Sequence, residues 1–231
     1  MNSTIREIGR LMPFSTRRRL LKIHQYYVFN KAIAELRTMV ENEAIDKAVL
    51  KRLIYGWGNQ GFSAMSDYLE TCIEYAYKTK GDILECGSGL STIVVGMIAQ
   101  KKGLKLTSFE HLKDWGVKIE KVLKKLSLNN VQINIAVLKD YGSYCWYDIN
   151  CKDLSENIGV VICDGPPAQT KGGRYGLIPQ IGDLLQPGAV VLMDDTMRKE
   201  ERLIMERWKA LIHFDMTERG NNDLHTILKI K

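Results

Sequence analysis

The spacing of apolar residues changes character once along this chain. Between residues 16 and 42, Leu20, Ile23, Tyr27 and Ala34 recur near the helical period, which predicts one long helix. A shorter helix is predicted over 44–54. Residues 55–64, YGWGNQGFSA, break any period with three glycines and Asn59 and read as a loop. Ser66 or Asp67 starts a third helix that runs to about residue 79. From residue 82 short apolar runs alternate with longer amphipathic stretches. Strands are predicted over 83–86, 105–110, 131–137, 159–164, 189–195 and 224–230, and helices over 91–101, 113–127 and 199–213. Strands that alternate with helices imply a mostly parallel sheet covered on both faces, an α/β architecture.

Composition adds little to that picture, and charge adds more. The chain has 231 residues, 45% hydrophobic and 26% charged, as in ordinary globular proteins. No apolar run approaches the ~18–20 residues that span a bilayer, and no secretory signal core is present, so a cytoplasmic protein is expected. The five cysteines (Cys72, Cys86, Cys145, Cys151, Cys163) form no C-x-x-C pair and read as free thiols. The net charge of +6 is concentrated at one end. Residues 1–40 hold eight Lys/Arg against Glu7 and Glu35, which leaves 25 basic and 25 acidic residues in the remainder.

The chemistry begins at ILECGSGLSTIVVG, residues 83–96. Glu85, Gly87 and Gly89 stand where the first strand turns into a helix, and ligands of open α/β sheets bind beyond the carboxyl ends of the strands. A dinucleotide turn would read G-x-G-x-x-G. Here the third position is Thr92, and a carboxylate that would repel a pyrophosphate precedes the first glycine. A carboxylate beside a glycine turn suits a cationic adenosine ligand such as S-adenosylmethionine (SAM). Glu110, ending the next strand, suits ribose hydroxyls. A tight turn with no ligand is the alternative.

Taken with YGWGNQGFSA (55–64), SFEH (108–111), the KDYG…CWYD segment (139–148), VICDGPP (161–167) and LLQPGAVVLMDDTMRKEE (184–201), the sequence resembles the class I SAM-dependent methyltransferases, in a branch with a D-G-P-P turn and a late D-D pair. The resemblance covers roughly residues 55–210 and leaves out the first fifty. It implies a Rossmann-like, doubly wound, mostly parallel seven-stranded sheet with an N-terminal helical extension. Glu85, Gly87 and Gly89, with Ser91 following, would line the methionine end of SAM. Glu110 would hold the ribose and His111 would lie beside the adenine. Lys139 and Asp140 would edge the adenine pocket, and Asp164 would face the transferring methyl. Trp57, Asn59 and Ser63 would belong to a loop closing over the cofactor.

Asp164, Asp194 and Asp195 end two strands, VVICD and VLMDD, that are neighbours in such a sheet. Three hard oxygen donors could hold Mg²⁺, which would acidify and orient a substrate hydroxyl. The pattern is similar to that of catechol-type O-methyltransferases, with two departures: Asp-Asp replaces Asp-Asn, and no lysine follows Asp164 by three residues. Without a metal, Asp164 is a general base or orients the acceptor, and Asp194 or Asp195 caps the following helix. Lys171, Arg174 and Tyr175 lie in a glycine-rich loop nearby, as acceptor contacts or as a solvated basic loop. Trp146 and Tyr147 read as pocket wall or core, Trp208 as core, and His213 and His225 as ordinary structural residues without an identifiable partner.

The basic helix beginning RRRLLK (17–22) suits an anionic membrane surface contacted through residues 10–40. A homodimer contact, a fold-over helix and a solvated cap are the alternatives. No RNA-binding module accompanies it, which argues against nucleic acid. The expected division is a basic helical extension over 1–54 and a methyltransferase domain over 55–231. The expected activity is methyl transfer to the oxygen of a small molecule. A macromolecular acceptor, or SAM binding without transfer, is the alternative.

Overall fold

The computed structural model describes residues 13–43, 45–58, 66–221 and 223–231. The chain divides into two compact units, residues 1–63 and 64–231. No described helix is long and apolar enough to cross a membrane.

The first unit contains two described helices. α1 (Phe14–Glu41) follows Pro13, whose fixed φ suits a helix entry. α2 (Lys47–Trp57) starts at Asp46, whose carboxylate accepts from the Ala48 amide at 2.8 Å, and ends at Gly58 in the left-handed region. The two helices meet where Gly56 faces the backbone of Phe29. A Cβ there would lie 2.7 Å from the Phe29 nitrogen, so only glycine allows the approach. Arg52 grips Glu35 with two parallel bonds of 2.8 and 2.5 Å. The predicted loop therefore starts later than residue 55, because Tyr55 and Trp57 complete the helix: the Tyr55 hydroxyl bonds His24 Nδ1 at 2.8 Å and the Trp57 ring packs on Phe29. Asn59 and Ser63 lie outside the described residues.

The second unit begins with α3 (Ser66–Lys78) and holds a seven-stranded sheet in the order β3-β2-β1-β6-β7-β9-β8. Its strands are β1 (Asp82–Cys86), β2 (Leu106–Glu110), β3 (Val131–Ile135), β6 (Ile158–Cys163), β7 (Val190–Met193), β8 (Phe214–Arg219) and β9 (His225–Ile230). All neighbours are parallel except β9, which runs against both β7 and β8. Between β1 and β2 lies α4 (Leu90–Lys101), buried from Leu90 to Ala99 because almost every residue is apolar or small. α5 (Lys113–Leu126) is the opposite case, charged outside with Gly116, Ile119, Leu123 and Leu126 buried along one stripe.

Three elements differ from the sequence expectation. The strand predicted over 131–137 stops at Ile135. A separate hairpin follows, β4 (Leu138–Asp140) with β5 (Cys145–Tyr147), turned by Asp140 accepting from the Gly142 amide at 2.8 Å. The helix predicted to reach His213 is α7 (Lys199–Trp208), because Phe214 is drawn into the sheet opposite Ile230. That register creates β8, the seventh strand whose place the sequence pattern did not show. Its residues are mostly exposed, so no core periodicity marks it. A short helix α6 (Leu177–Ile181) also went unpredicted; it buries Leu177, Ile178 and Ile181.

Candidate functional site

The sheet order places the topological switch between β1 and β6, where the chain leaves in opposite directions and a crevice opens beyond the strand ends. Register aligns the sequence motifs there. Cys86 pairs with Cys163, and Cys163 with Met193, so Gly87, Asp164 and Asp194 emerge side by side. The Asp164 amide donates to Cys86 O at 3.0 Å, and the Asp194 amide to Cys163 O at 3.2 Å. Gly87 has φ +92, and its Cα lies 3.0 Å from where a Cβ on Gly165 would stand. The two turns pack backbone to backbone, which is why both are glycine. The Gly165–Pro166 peptide is cis.

Glu85 is fully buried beneath this turn. Ser91 donates to Oε1 at 2.6 Å, and Thr92 and Ser108 donate to Oε2 at 2.5 and 2.6 Å. Burial pushes its carboxyl up to about 7 against the pull of those hydroxyls. Glu85 and Ser91 are thus joined to each other and fix the start of α4. Gly89 is different: no described residue lies within 4 Å of the position its Cβ would take, and its φ of −172° is one any residue adopts. The space over Gly89 is open for a ligand to lie on its backbone.

Glu110 ends β2 and is buried, and its carboxylate is held by the turn after β1 and by the start of the next helix. Ser88 donates through its hydroxyl at 2.8 Å and its amide at 3.2 Å to Oε2, and the Leu112 amide donates to Oε1 at 2.9 Å. His111 Nδ1 stands 3.3 Å from Oε1, and the ring meets Tyr147 edge-on. Trp115 Nε1 donates to Ser88 O, so the β1 turn and the start of α5 are tied through one serine.

Asp164, Asp194 and Asp195 come together as the sequence suggested, with one oxygen from each lying within 4.8 Å of the others. A guanidinium stands among them. Arg174, 2% exposed, places Nη2 at 3.1 Å from Asp164 Oδ1, 3.1 Å from Asp164 O and 2.9 Å from Asp195 Oδ2. Its Nη1 donates to Asp194 O at 2.6 Å, and its Nε lies 3.8 Å from the fully buried carboxylate of Glu201. Arg198 closes the outer side through Asp195 Oδ2 at 2.7 Å. Asp195 has φ +58°, a region that Asp tolerates better than most residues, and its amide donates to Asp194 Oδ1 at 2.7 Å.

Electrostatics follow from this packing. Burial, helped by the Asp195 charge and opposed by Arg174, pushes the Asp164 carboxyl up to about 6. Burial and the Asp164 charge push the Asp194 carboxyl well above the usual carboxylate range. The Asp164 side chain remains 25% exposed and is the member of the group open to an incoming molecule together with Asp195.

Other predicted residues lie elsewhere. Lys139 and Asp140 sit on the exposed β4–β5 hairpin, where Lys139 pairs with Asp148 at 3.2 Å and Asp140 with Lys171 at 3.0 Å. Trp57 belongs to the first unit, at the end of α2. Trp146, Tyr147 and Trp208 are fully buried core residues. His225 does have partners: Thr71 Oγ1 at 2.7 Å and Asp223 O at 2.9 Å. Arg174 is the residue that sequence reasoning undervalued. The signal was there, an arginine ten residues after Asp164 in a glycine-rich loop, but its burial depends on η2 (Gly173–Gly176), a single 3₁₀ turn, folding back beneath the cluster.

Residues 84–196 match the model of a family described as a methyltransferase domain. No curated protein matches the chain. Among solved structures, the SAH-bound methyltransferase PaMTH1 of Podospora anserina has a similar fold, with a TM-score of 0.55 at 15% identity over 96% of this chain and 98% of that one. The O-methyltransferase of Bacillus cereus in complex with SAH gives 0.55 at 13% identity, over 85% of this chain and 91% of that one. The precorrin-6y C5,15-methyltransferase of Geobacter metallireducens gives 0.52 at 13%, over 74% and 92%. The stretch that matches the methyltransferase-domain model lies within the sheet unit.

Proposed function

We propose that this SAM-dependent methyltransferase moves the methyl group to an oxygen of a small-molecule acceptor, with Asp164 as the base. The observation that carries the reading is the position of Asp164. It is a partly exposed carboxylate, raised to about 6, one register step from the glycine turn of β1. A base of that strength is ionised near neutral pH and still able to take a proton from an acidic hydroxyl.

SAM, when bound, supplies an electrophilic methyl on a sulfonium, so the chain's own work is placement and proton removal. The open space over Gly89 fits an extended ligand lying against backbone. Glu110, already fixed by Ser88 and Leu112, presents a carboxylate able to accept from ribose hydroxyls, and His111 flanks it. Asp164 receives the acceptor's proton. Arg174 holds that carboxylate in one orientation through paired bonds to its backbone and side-chain oxygens. Lys139 and Asp140, paired on their hairpin, are proposed at the rim of the adenine side.

The small-molecule reading draws support from charge. Outside the first forty residues the chain holds 25 basic and 25 acidic residues, without the basic excess that RNA enzymes use. The O-methyltransferase of Bacillus cereus shares the fold. The test is transfer of label from methyl-labelled SAM to a panel of phenols, catechols and hydroxy acids, set beside total RNA and protein. Label entering only macromolecules rejects the small acceptor, and absence of any SAM binding rejects the transferase reading.

For the N-terminal unit we propose contact with an anionic membrane surface. Phe14, Leu20, Leu21, Ile23 and Tyr27 are exposed on α1 beside Arg17, Arg18, Arg19 and Lys22, a mixture that suits the headgroup region. Flotation with vesicles containing phosphatidylserine, compared with neutral vesicles, checks it. Equal behaviour with both, together with a concentration-dependent dimer, assigns the face to a second copy instead.

A further inference from the structure

We propose that Arg174 is the built-in cation of this site, standing where a divalent metal would otherwise bridge Asp164 and Asp195, so that the carboxylate group is assembled without a metal ion. The inference deepens the reading of Asp164 as the acceptor-side base, and its binding arm stands without that reading.

Three observations carry it. First, a single nitrogen of Arg174, Nη2, has three oxygens within 3.1 Å, two from Asp164 and one from Asp195. A hard cation would claim those same inner oxygens at closer range. Second, the guanidinium is anchored from behind. Nη1 is bonded to Asp194 O, and the buried Glu201 faces Nε at 3.8 Å with no hydrogen-bond donor of its own. An uncompensated buried carboxylate is costly, so Glu201 is accounted for only if the arginine stays. Third, the arginine is 2% exposed and cannot leave for solvent without emptying the space beneath the cluster. A guanidinium keeps its charge at any working pH, and its planar fork fixes the direction of its bonds. The donor set therefore does not fit a divalent ion while Arg174 is in place: the ion would meet a like charge at contact distance.

Arg174 is a positioning residue on this account. It acts through Asp164, holding the residue by its backbone carbonyl and one carboxylate oxygen, and touches no reacting atom.

The test uses Mn²⁺ as the probe, followed by its paramagnetic resonance, with SAM binding followed by calorimetry on the same chelator-treated full-length chain. The wild type is expected to show no stoichiometric Mn²⁺ site and undiminished SAM affinity after chelation. Arg174→Ala, checked for native circular dichroism, is expected to gain one Mn²⁺ site at least about tenfold tighter than any residual wild-type binding, a difference of about 1.4 kcal/mol. The added change Asp164→Asn is expected to abolish the gain. A purely structural arginine would change stability without creating a metal site. One equivalent of Mn²⁺ bound by the wild type and lost in Asp164→Asn overturns the proposal, as does a folded Arg174→Ala with no new site. If Arg174→Ala does not fold, the wild-type titration alone decides. Failure of the wild type to bind SAM would count against the transferase reading and leave the Mn²⁺ result standing.

Discussion

The hydroxyl of Ser88 donates a 2.8 Å hydrogen bond to Oε2 of Glu110, and so the turn after β1 is fastened to the end of β2. The carboxylate holds the Ser88 and Leu112 amides, and this duty separates by mutation from the ribose contact proposed for it. Glu110→Ala strips both amides of their acceptor and should lower stability by about 1–3 kcal/mol as well as SAM affinity. Glu110→Gln keeps an acceptor for one of them. It should stay within about 1 kcal/mol of the wild type in a urea melt while losing at least about tenfold in SAM affinity by calorimetry. Unchanged affinity in the Gln variant would remove Glu110 from the cofactor site.

Among the described residues nothing meets a Cβ on Gly89, and its φ is unstrained, so their packing does not demand glycine there. Gly89→Val should leave the thermal midpoint within a few degrees, since surface changes are usually within about 0.5 kcal/mol, yet it should abolish measurable SAM binding. Gly87→Ala should do the reverse damage. At φ +92, with Gly165 packed against it, the added methyl strains the fold itself. Wild-type SAM affinity in Gly89→Val would place the cofactor elsewhere.

Asp164 is raised to about 6, chiefly by burial, and in the proposed reaction its ionised form is the base. The sign is therefore fixed: kcat/KM should climb as pH passes about 6 and level off above it. Asp164→Asn should remove that limb and cost about 10²–10⁴ in rate with the acceptor found in the labelling screen. A profile that falls through the same window would assign the aspartate to the acid role.

Glu85 makes stability depend on pH. Its carboxyl in the fold is raised to about 7, mainly by burial, so the folded state holds a proton that the unfolded chain has released. That contribution is complete below the unfolded value near 4.3 and fades as pH rises to about 7. Glu85→Gln cannot ionise. Its deficit relative to the wild type in urea melts should narrow by on the order of 2–3 kcal/mol between pH 4 and pH 8. A constant deficit would mean that the three hydroxyls hold Glu85 ionised throughout.

Much of this site was legible because each part is local. A carboxylate two residues before a glycine, Glu110 at the next strand's end and Asp164 after an apolar run all sit where an apolar run stops, and strand ends are what periodicity shows best. What Glu85 does was not legible. The sequence suggested a charge facing a cationic ligand, whereas Ser91, Thr92 and Ser108 converge on the carboxylate inside the fold. Ser108 comes from the neighbouring strand, a partner that no spacing along the chain points to.

The last strands make the same point for the fold. β9 reads as LHTILKI because it is buried on both faces, while β8 holds its place only through pairing with β9 and leaves most of its side chains in water. By itself, then, the sequence determined the alternating architecture, the strand ends that carry the chemistry and the seat of the excess charge, since those depend on residues near one another in the chain. Only the tertiary structure decided that Arg174 and Glu201 lie buried behind Asp164 and Asp195. Burial of a charge depends on what surrounds it in space, and the elements that do so here come from three separate parts of the chain.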